Sequence, residues 1–288
     1  MDSFESMMFQ YLDRFKVLFF PEQWDNLILN CSKNELFILL YIYRNGEVNM
    51  TMIADYINAP LNTLTGIVTR MEKREFARRR KRLMDIAGHG GIVIQPTAPE
   101  RIRNRDVYYP FRPDSDFYYL TGFPEPEAVL VLVPDRPQGE CILFCRERDD
   151  EAESWHGRRA GLEGACELYG ADDAFPITDL DDILPGLIEN KERIYFTMGR
   201  YADFDQRLVS WLNRVTSKGR AGIHAPDQFV SLGHVVHEMR LFKSSQELKA
   251  MRRAASIAAA AHRRAMAACK SGMREYQIEA ELLHSFMQ

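Results

Sequence analysis

Hydrophobic residues between positions 60 and 87 recur at helical spacing and predict one long, uninterrupted helix. Pro60 marks its start, and the glycines that begin at Gly88 mark its end. The apolar stripe changes face by about a quarter turn part-way along. The first face carries Leu64, Ile67, Val68 and Met71, and the second carries Phe76, Leu83 and Ala87. We therefore expect the helix to serve two cores, with residues 72–75 contacting neither of them.

Shorter helical patterns precede this long helix. Residues 3–20 and residues 33–45 predict two helices, the second of them capped by Ser32. A short helix over residues 50–56 and a tight turn at residues 58–60 then lead into the long helix. Two helices joined by such a turn form a helix-turn-helix arrangement, whose second helix can enter the major groove of DNA.

After the glycines the hydrophobic spacing changes to that of strands. Short apolar runs rich in β-branched and aromatic residues predict strands at residues 91–95, 116–120, 128–133, 141–146, 193–197 and 221–224. Helices are expected near residues 180–189 and 201–216, and proline-rich loops at residues 96–113 and 134–139. Strands interspersed with helices predict a mixed sheet that is covered by helices.

Composition places the chain among ordinary soluble proteins. It has 288 residues, enough for two domains, with 46% hydrophobic and 27% charged residues. No apolar run approaches the roughly 18 residues of a membrane span, and the acidic start is unlike a secretory signal. The five cysteines are odd in number and scattered. We therefore expect a cytoplasmic protein without a membrane partner, whose Cys141 and Cys145 are core thiols rather than a metal pair.

The net charge of −4 is unevenly distributed. Residues 1–73 contain six basic and nine acidic residues, whereas residues 74–87 contain six basic and two acidic residues. The run from Arg78 to Arg82 suggests nucleic-acid binding, but five consecutive helical positions point all around the axis. A solvated helix surface, with arginine stems covering apolar neighbours, is the favoured interpretation.

The first module carries the run LFILLYIYRNGEVNMTMIADYINAPLNTLTGIVTRMEK. This run resembles the MarR family of winged-helix regulators, and the resemblance covers about residues 1–73. It implies that the DNA-facing positions are Asn62, Thr63, Thr65, Thr69 and Arg70. In that family a β-hairpin wing follows the recognition helix, but here the wing is absent because the helix continues past Lys73. Since the module is also net acidic, we expect weak or no DNA binding.

The second module carries the blocks SDFYYLTGF, PEPEA, ESWHGRRAG and HEMRLFKSS. They resemble the N-terminal portion of bacterial Xaa-Pro aminopeptidase (aminopeptidase P) over about residues 75–288. The resemblance implies an N-terminal domain of the creatinase and aminopeptidase P type at residues 75–242. Residues 243–288 would then be the first helices of a truncated pita-bread catalytic domain.

The expected fold class is therefore α+β, in a two-part chain. An all-α helix-turn-helix module at residues 1–73 is joined by a shared, continuous helix at residues 60–87 to an α/β domain. That domain has a mixed sheet flanked by helices, and two C-terminal helices follow it.

The peptidase resemblance also implies a chemistry. Family members hydrolyse the bond between an N-terminal residue and a following proline, using two metal ions, usually Mn²⁺. By resemblance, the five metal ligands would all lie beyond Gln288, so we expect no catalytic residue, no metal site and no cofactor in this chain. Glu281 and His284, spaced i, i+3 on a helix, are favoured as a surface pair rather than as metal ligands.

Two residues match the family's substrate pocket. Trp155 corresponds to a tryptophan that the N-terminal domain lends to a neighbouring subunit's pocket, and Arg220 aligns with an arginine near it. The alternatives are a partly buried loop aromatic and a surface charge. Arg158 and Arg159 are expected to pair with carboxylates and to fix the loop around Trp155.

These observations rank three functions. The first is a non-catalytic chimera or rigid-helix fusion, and hence a chain that is inactive as an enzyme. The enzyme-class alternative is a truncated Xaa-Pro aminopeptidase, and the third candidate is a DNA-binding regulator. A homo-oligomer that forms through either module is compatible with all three.

Overall fold

The computed structural model describes residues 32–45 and 48–287, and helices and strands are numbered over those residues. The chain divides into two compact units, Met1–Val230 and Ser231–Gln288. The helix predicted at residues 3–20 lies outside the described residues. So do the side chains of Thr69 and Arg70.

Three helices come first among the described residues, and they confirm the helix-turn-helix prediction. They are α1 (Lys33–Asn45), α2 (Met50–Ile57) and α3 (Leu61–Ala87). The Ser32 hydroxyl accepts a hydrogen bond from the Glu35 N–H, and Asn49 caps α2 by accepting from Met52 N–H at 2.9 Å. Asn58 ends α2 in the left-handed conformation, with φ of 52°.

A small apolar core holds these three helices together. Its buried members are Ile38, Ile53, Ala54, Leu64 and Ile67. Val68 and Met71 pack against it, so the whole first face of the long helix is used as predicted. The α3 helix then continues without a break to Ala87.

A six-stranded mixed sheet forms the centre of the rest of the unit. Its strands are β1 (Gly91–Pro96), β4 (Val129–Leu132), β5 (Cys141–Cys145), β6 (Asp173–Pro176), β7 (Arg193–Tyr195) and β8 (Gln228–Val230). Their order in space is β6-β5-β4-β1-β7-β8. The β1 and β4 strands and the β4 and β5 strands pair antiparallel, and the other neighbours pair parallel. A separate antiparallel ribbon consists of β2 (Ile102–Asn104) and β3 (Val107–Tyr108).

Helices flank this sheet. They are α4 (Ser115–Thr121), α5 (Asp150–His156), α6 (Gly161–Glu167), α7 (Leu180–Ile188) and α8 (Ala202–Thr216). The main core combines the β-branched residues of β1, β4 and β5 with the apolar faces of α7 and α8. Leu83 and Ala87 of α3 are fully buried, and α3 contacts both α4 and β1. The second apolar face of the long helix is therefore used as well.

Several element predictions were wrong. Residues 116–120 form a helix rather than a strand, because the Asp114 carboxylate accepts hydrogen bonds from the N–H groups of Asp116 and Phe117 and caps α4. Residues 221–224 form a turn rather than a strand. The loop predicted at residues 96–113 contains the β2–β3 ribbon, and strands β6 and β8 were not predicted.

The basic run on α3 was also misinterpreted in part. Arg80 is only 4% exposed, and it donates hydrogen bonds to the backbone carbonyls of Leu120 and Gly170, at 3.0 and 2.8 Å. The Arg79 guanidinium lies 4.1 Å from the centre of the Tyr119 ring. The solvated-surface interpretation holds for Arg82, but it fails for these two arginines because backbone carbonyls and a ring face lie next to them.

The middle of α3 contacts both modules, although neither contact was expected. Arg74 Nη1 lies 2.7 Å from Glu35 Oε2 on α1. The Lys73 ammonium donates to the backbone carbonyl of Glu167 at the end of α6. The expectation was wrong because long polar side chains reach well beyond the apolar stripes that predict core contacts.

The second unit consists of α9 (Leu232–Leu241), α10 (Ser245–Ala268) and α11 (Glu275–Phe286). Ser244 and Glu247 form a capping box at the start of α10. Both predicted C-terminal helices are therefore present. Among the described residues, no helix has the length and apolarity needed to cross a membrane.

Candidate functional site

The predicted DNA-facing residues lie on the first turns of α3. Asn62, Thr63 and Thr65 are exposed. Two of them make local hydrogen bonds: the Thr65 hydroxyl donates to the Leu61 carbonyl at 2.9 Å, and the Asn62 side-chain oxygen accepts from Thr63 N–H. Thr69 and Arg70 follow on the same helix.

Trp155 protrudes from an arm made of α5 and its flanking residues. Its side chain is 83% exposed, so the partly buried alternative does not hold. The Asp149 carboxylate caps α5 by accepting from Glu151 and Ala152 N–H groups, both at 3.1 Å. Arg148 holds Glu153 through two hydrogen bonds of 3.0 and 2.9 Å. These bonds lower the pKa of the Glu153 carboxyl below its usual value.

The far end of the arm is fixed as well. The Ala160 N–H donates to Glu125 Oε1 at 2.6 Å. Gly161 has φ of +65°, and a Cβ there would lie 2.5 Å from Arg148 Cγ, so the chain turns tightly against the arginine stem. The arm therefore presents its tryptophan from a braced base.

Arg158 and Arg159 do not fix this loop in the predicted way. Arg159 Nη1 donates to the backbone carbonyl of Glu147 at 3.3 Å, and the carboxylate of Glu153 is taken by Arg148 instead. Arg220 lies elsewhere, in an exposed turn at Gly219–Ala221 after α8. Arg220 and Trp155 form no hydrogen bond with each other.

A buried polar cluster was missed in the sequence. Arg200 bridges two aspartates that are almost fully buried, Asp114 at 3.2 Å and Asp116 at 2.9 Å. The Tyr201 hydroxyl donates to Asp114 Oδ2 at 2.8 Å, and Gln95 Nε2 lies 3.4 Å from Asp114 Oδ1. Burial, and then the hydrogen bond to Asp114, raise the pKa of Tyr201. Asp114, the aspartate ahead of a helix, is a capping signal, but its arginine partner lies 86 residues away and has no local signature.

Residues 76–195 match the profile of the aminopeptidase P N-terminal domain, residues 31–85 match that of the MarR family, and residues 249–288 match metallopeptidase family M24. Escherichia coli Xaa-Pro aminopeptidase is 41% identical over 220 residues, covering 76% of this chain and 50% of that protein. The structure of Pseudomonas aeruginosa aminopeptidase PepP matches with a TM-score of 0.73 and 56% identity, over 75% of this chain and 49% of that one.

The chain therefore carries a segment that matches the MarR family, followed by a domain that matches the aminopeptidase P N-terminal domain. The two profile matches overlap at residues 76–85, which lie within α3, so the shared helix belongs to both of them. A zinc-substituted E. coli aminopeptidase P in complex with product matches with a TM-score of 0.71 and 41% identity. The chain spans about half the length of these relatives.

The described residues of this aminopeptidase P domain and M24 segment do not fit a two-metal centre. Residues 32–45 and 48–287 contain no group of three or more histidine, cysteine, aspartate or glutamate side chains that could hold a metal ion. Glu281 instead lies 2.7 Å from Arg264 Nε. Cys141 and Cys145 are buried in β5, and burial raises the pKa of their thiols to about 11 and about 12. They are core thiols, as predicted, and are protonated at neutral pH.

Proposed function

We propose that this chain is a non-catalytic fusion in which α3 holds a helix-turn-helix module at a fixed orientation to an aminopeptidase P N-terminal domain. The observation that carries the proposal is the continuity of α3 over 27 residues, with each half packed in its own core. A helix of this length is about 40 Å long and bends little. Contacts of Lys73 and Arg74 on either side of the join support the same rigidity.

A distance measurement tests this proposal. Spectroscopic probes on Asp55 in α2 and on Asp135 beyond β4 report the separation of the two modules. A rigid α3 predicts a single narrow distribution that does not broaden on dilution. A broad or multi-peaked distribution in the intact chain would contradict a fixed orientation.

The absence of catalysis is part of the proposal and has its own assay. The carboxylates that cluster in the domain, Asp114 and Asp116, are engaged by Arg200, and Glu281 is engaged by Arg264. We expect no cleavage of Xaa-Pro dipeptides or tripeptides with added Mn²⁺, under conditions in which E. coli Xaa-Pro aminopeptidase is active. Turnover that purifies with this chain and disappears with a chelator would contradict the proposal.

One observation favours a peptidase-linked second candidate. Trp155 is 83% exposed on a braced arm, which suits an aromatic side chain offered to another subunit. In this candidate Trp155 and Arg220 line the substrate pocket of a neighbouring Xaa-Pro aminopeptidase subunit. Mixed oligomers with the E. coli enzyme should then form, and their kcat/KM for a tripeptide should fall with Trp155→Ala in this chain. If no mixed oligomer forms, this candidate is wrong.

The exposed residues Asn62, Thr63 and Thr65 favour a third candidate, DNA binding. The module's excess of acidic residues and the continuation of α3 in place of a wing oppose it, because phosphate contacts supply most DNA affinity. We expect weak binding that does not depend on sequence. A titration at physiological salt that gives nanomolar, sequence-dependent affinity would establish DNA binding instead.

A further inference from the structure

The antiparallel ribbon of β2 and β3 (residues 101–109) is exposed on both of its faces. Ile102 pairs across the ribbon with Tyr108, so these two side chains share one face, and they are 61% and 49% exposed. A two-stranded hairpin with no buried face is marginally stable in water and adds little to the core. The ribbon therefore has the properties of a binding element.

The charge of the ribbon and of the residues after it indicates an anionic partner. Residues 101–112, RIRNRDVYYPFR, contain four arginines and one acidic residue, a formal charge of +3 in a chain of net charge −4. All four arginines are exposed, and none of them forms an ion pair with a described residue. Their guanidinium groups are therefore available to a ligand that carries negative charge.

One face of the ribbon combines these cations with an aromatic ring. Side chains alternate along a strand, so Arg101 and Arg103 lie on the same face, opposite to Ile102. Tyr109 lies on that face too, because its N–H donates to the Arg101 carbonyl across the ribbon at 2.9 Å. The Arg103 guanidinium lies 5.9 Å from the centre of the Tyr109 ring, and Tyr109 is 55% exposed. Two arginines and an accessible tyrosine ring are therefore neighbours on one surface.

The spacing of the two arginines suits a repeating anion. Two residues of a strand advance the chain by about 6.8 Å. One nucleotide of an extended single strand covers a similar length, so Arg101 and Arg103 can meet successive phosphates. Proteins that bind single strands without sequence preference combine such cations with aromatic rings on which bases stack.

We propose that the ribbon binds single-stranded nucleic acid, with Arg101 and Arg103 on successive phosphates and a base stacked on Tyr109. A duplex offers phosphates as well, but its bases are already stacked in pairs and leave the tyrosine ring without a partner. An acidic peptide would match the arginines but offers the ring no base. The site is separate from the helix-turn-helix module and does not depend on the proposed fusion.

Fluorescence anisotropy with a labelled oligothymidylate of about 12 nucleotides tests this proposal. The wild-type chain should bind with a Kd of about 1 to 100 μM at physiological salt, the range of sequence-independent binding. Arg101→Gln with Arg103→Gln should weaken binding at least about tenfold. It should also reduce the slope of log affinity against log salt by about 1.4, because each lost phosphate contact contributes about 0.7.

Tyr109→Leu separates stacking from charge. It keeps an apolar side chain but removes the ring, so the affinity should fall at least about fivefold while the salt slope stays the same. The matched control is Arg82→Gln with Arg263→Gln, which removes two exposed arginines outside the ribbon. It should leave the affinity and the salt slope unchanged.

Four outcomes would overturn the proposal. The first is no binding of the oligothymidylate up to about 100 μM protein. The second is a control variant that loses as much affinity as the ribbon variant, which would mean that only the overall charge matters. The third is a duplex of the same length that binds equally well, since no base could then stack on Tyr109. The fourth is equal competition by an oligoglutamate of the same length, which would assign the ribbon to acidic proteins.

Discussion

The two halves of α3 are anchored by different kinds of contact. In the N-terminal half, Leu64 and Ile67 enter a cluster of buried apolar side chains, and Glu35 of α1, which is also buried, bonds Arg74 at the middle of α3. In the C-terminal half, Leu83 and Ala87 are buried, but a buried arginine, Arg80, lies beside them. The first module therefore holds α3 by apolar burial and one ion pair to the exposed Arg74, whereas the second module adds two hydrogen bonds from a buried arginine.

This difference has a structural consequence. Apolar contacts are non-directional, so they tolerate small rotations of a helix about its axis. The two hydrogen bonds of Arg80 are directional, and they end on the carbonyls of Leu120 in α4 and Gly170 just after α6. The Leu120 carbonyl lies in the last turn of α4, where carbonyls lack intrahelical partners, so Arg80 satisfies it. Together with the bond to Gly170, this contact fixes the rotation of α3.

The largest effect is expected from truncating Leu64, which packs in the apolar core around the N-terminal half of α3 (the apolar anchor). Leu64→Ala should destabilise the helix-turn-helix module by about 3 kcal/mol, because the side chain is fully buried in a small core. Hydrogen exchange should show lost protection in α2 and unchanged protection in β5. Leu61→Ala, at a position 51% exposed, is the matched control and should change stability by less than about 0.5 kcal/mol. An equal loss of protection in β5 would mean that the two halves unfold together.

The next largest effect is expected from removing the two hydrogen bonds of Arg80, the polar anchor of the C-terminal half of α3. Arg80→Met keeps an apolar stem but leaves one buried and one partly buried carbonyl without this donor, and should cost about 2 kcal/mol. Hydrogen exchange should report the loss in α4 and in the turn at Gly170, and not in α2. Arg82→Met removes an exposed arginine two residues away and should be nearly neutral. A neutral Arg80→Met would show that burial alone anchors both halves.

Local sequence signals predict the helix and its apolar faces, but not the hydrogen bonds of its buried arginine. The length of α3, its two faces and most of the central strands follow from periodicity and from stop signals, which are local. The role of Arg80 could not be predicted, because the five-residue basic run looks uniform and its acceptors lie 40 and 90 residues away. A sequence pattern indicates which face of its own helix or strand a residue lies on. It does not indicate which distant carbonyl the side chain will bind.

The candidate site shows the same limit. The exposure of Trp155 could be anticipated only from a resemblance, and the Arg148–Glu153 pair that braces its arm was assigned to the wrong arginines. The cluster of Asp114, Asp116 and Arg200 joins residues 84 to 86 positions apart, so spacing gave no signal for it. Residues 116–120 were assigned to a strand because their aromatic content outweighed a capping aspartate.

A smaller effect should follow from softening the helix between its anchors. Glycines at Arg74 and Glu75 should cost about 1 kcal/mol each in helix propensity. Each half should stay folded, while the distance distribution between probes on Asp55 and Asp135 changes from narrow to broad. Alanines at the same two positions remove the same ion pairs but keep the helix, and should leave the distribution narrow. If the glycine variant also stays narrow, direct contacts between the modules set their orientation.

The smallest effect concerns Glu35, a carboxylate on α1 that pairs with Arg74 at the middle of α3. Burial raises its pKa, but the N–H and hydroxyl of Ser32 and the guanidinium of Arg74 outweigh burial, so the pKa lies below the ordinary 4.5. The unfolded chain therefore binds the proton more tightly, and the stabilisation is fully present above pH 4.5 and is lost as the pH falls through the native pKa. Glu35→Gln keeps the shape but cannot ionise, so it should lower stability at pH 7 by about 1 kcal/mol or less. It should also flatten the acid limb, which is the fall in the free energy of unfolding of the helix-turn-helix module as the pH is lowered. Urea unfolding followed by circular dichroism measures this free energy. Asp55→Asn, an exposed carboxylate on α2, is the control and should leave that limb unchanged. An acid limb that persists in Glu35→Gln would show that Glu35 does not couple the two anchors, and that the join depends on the helix alone.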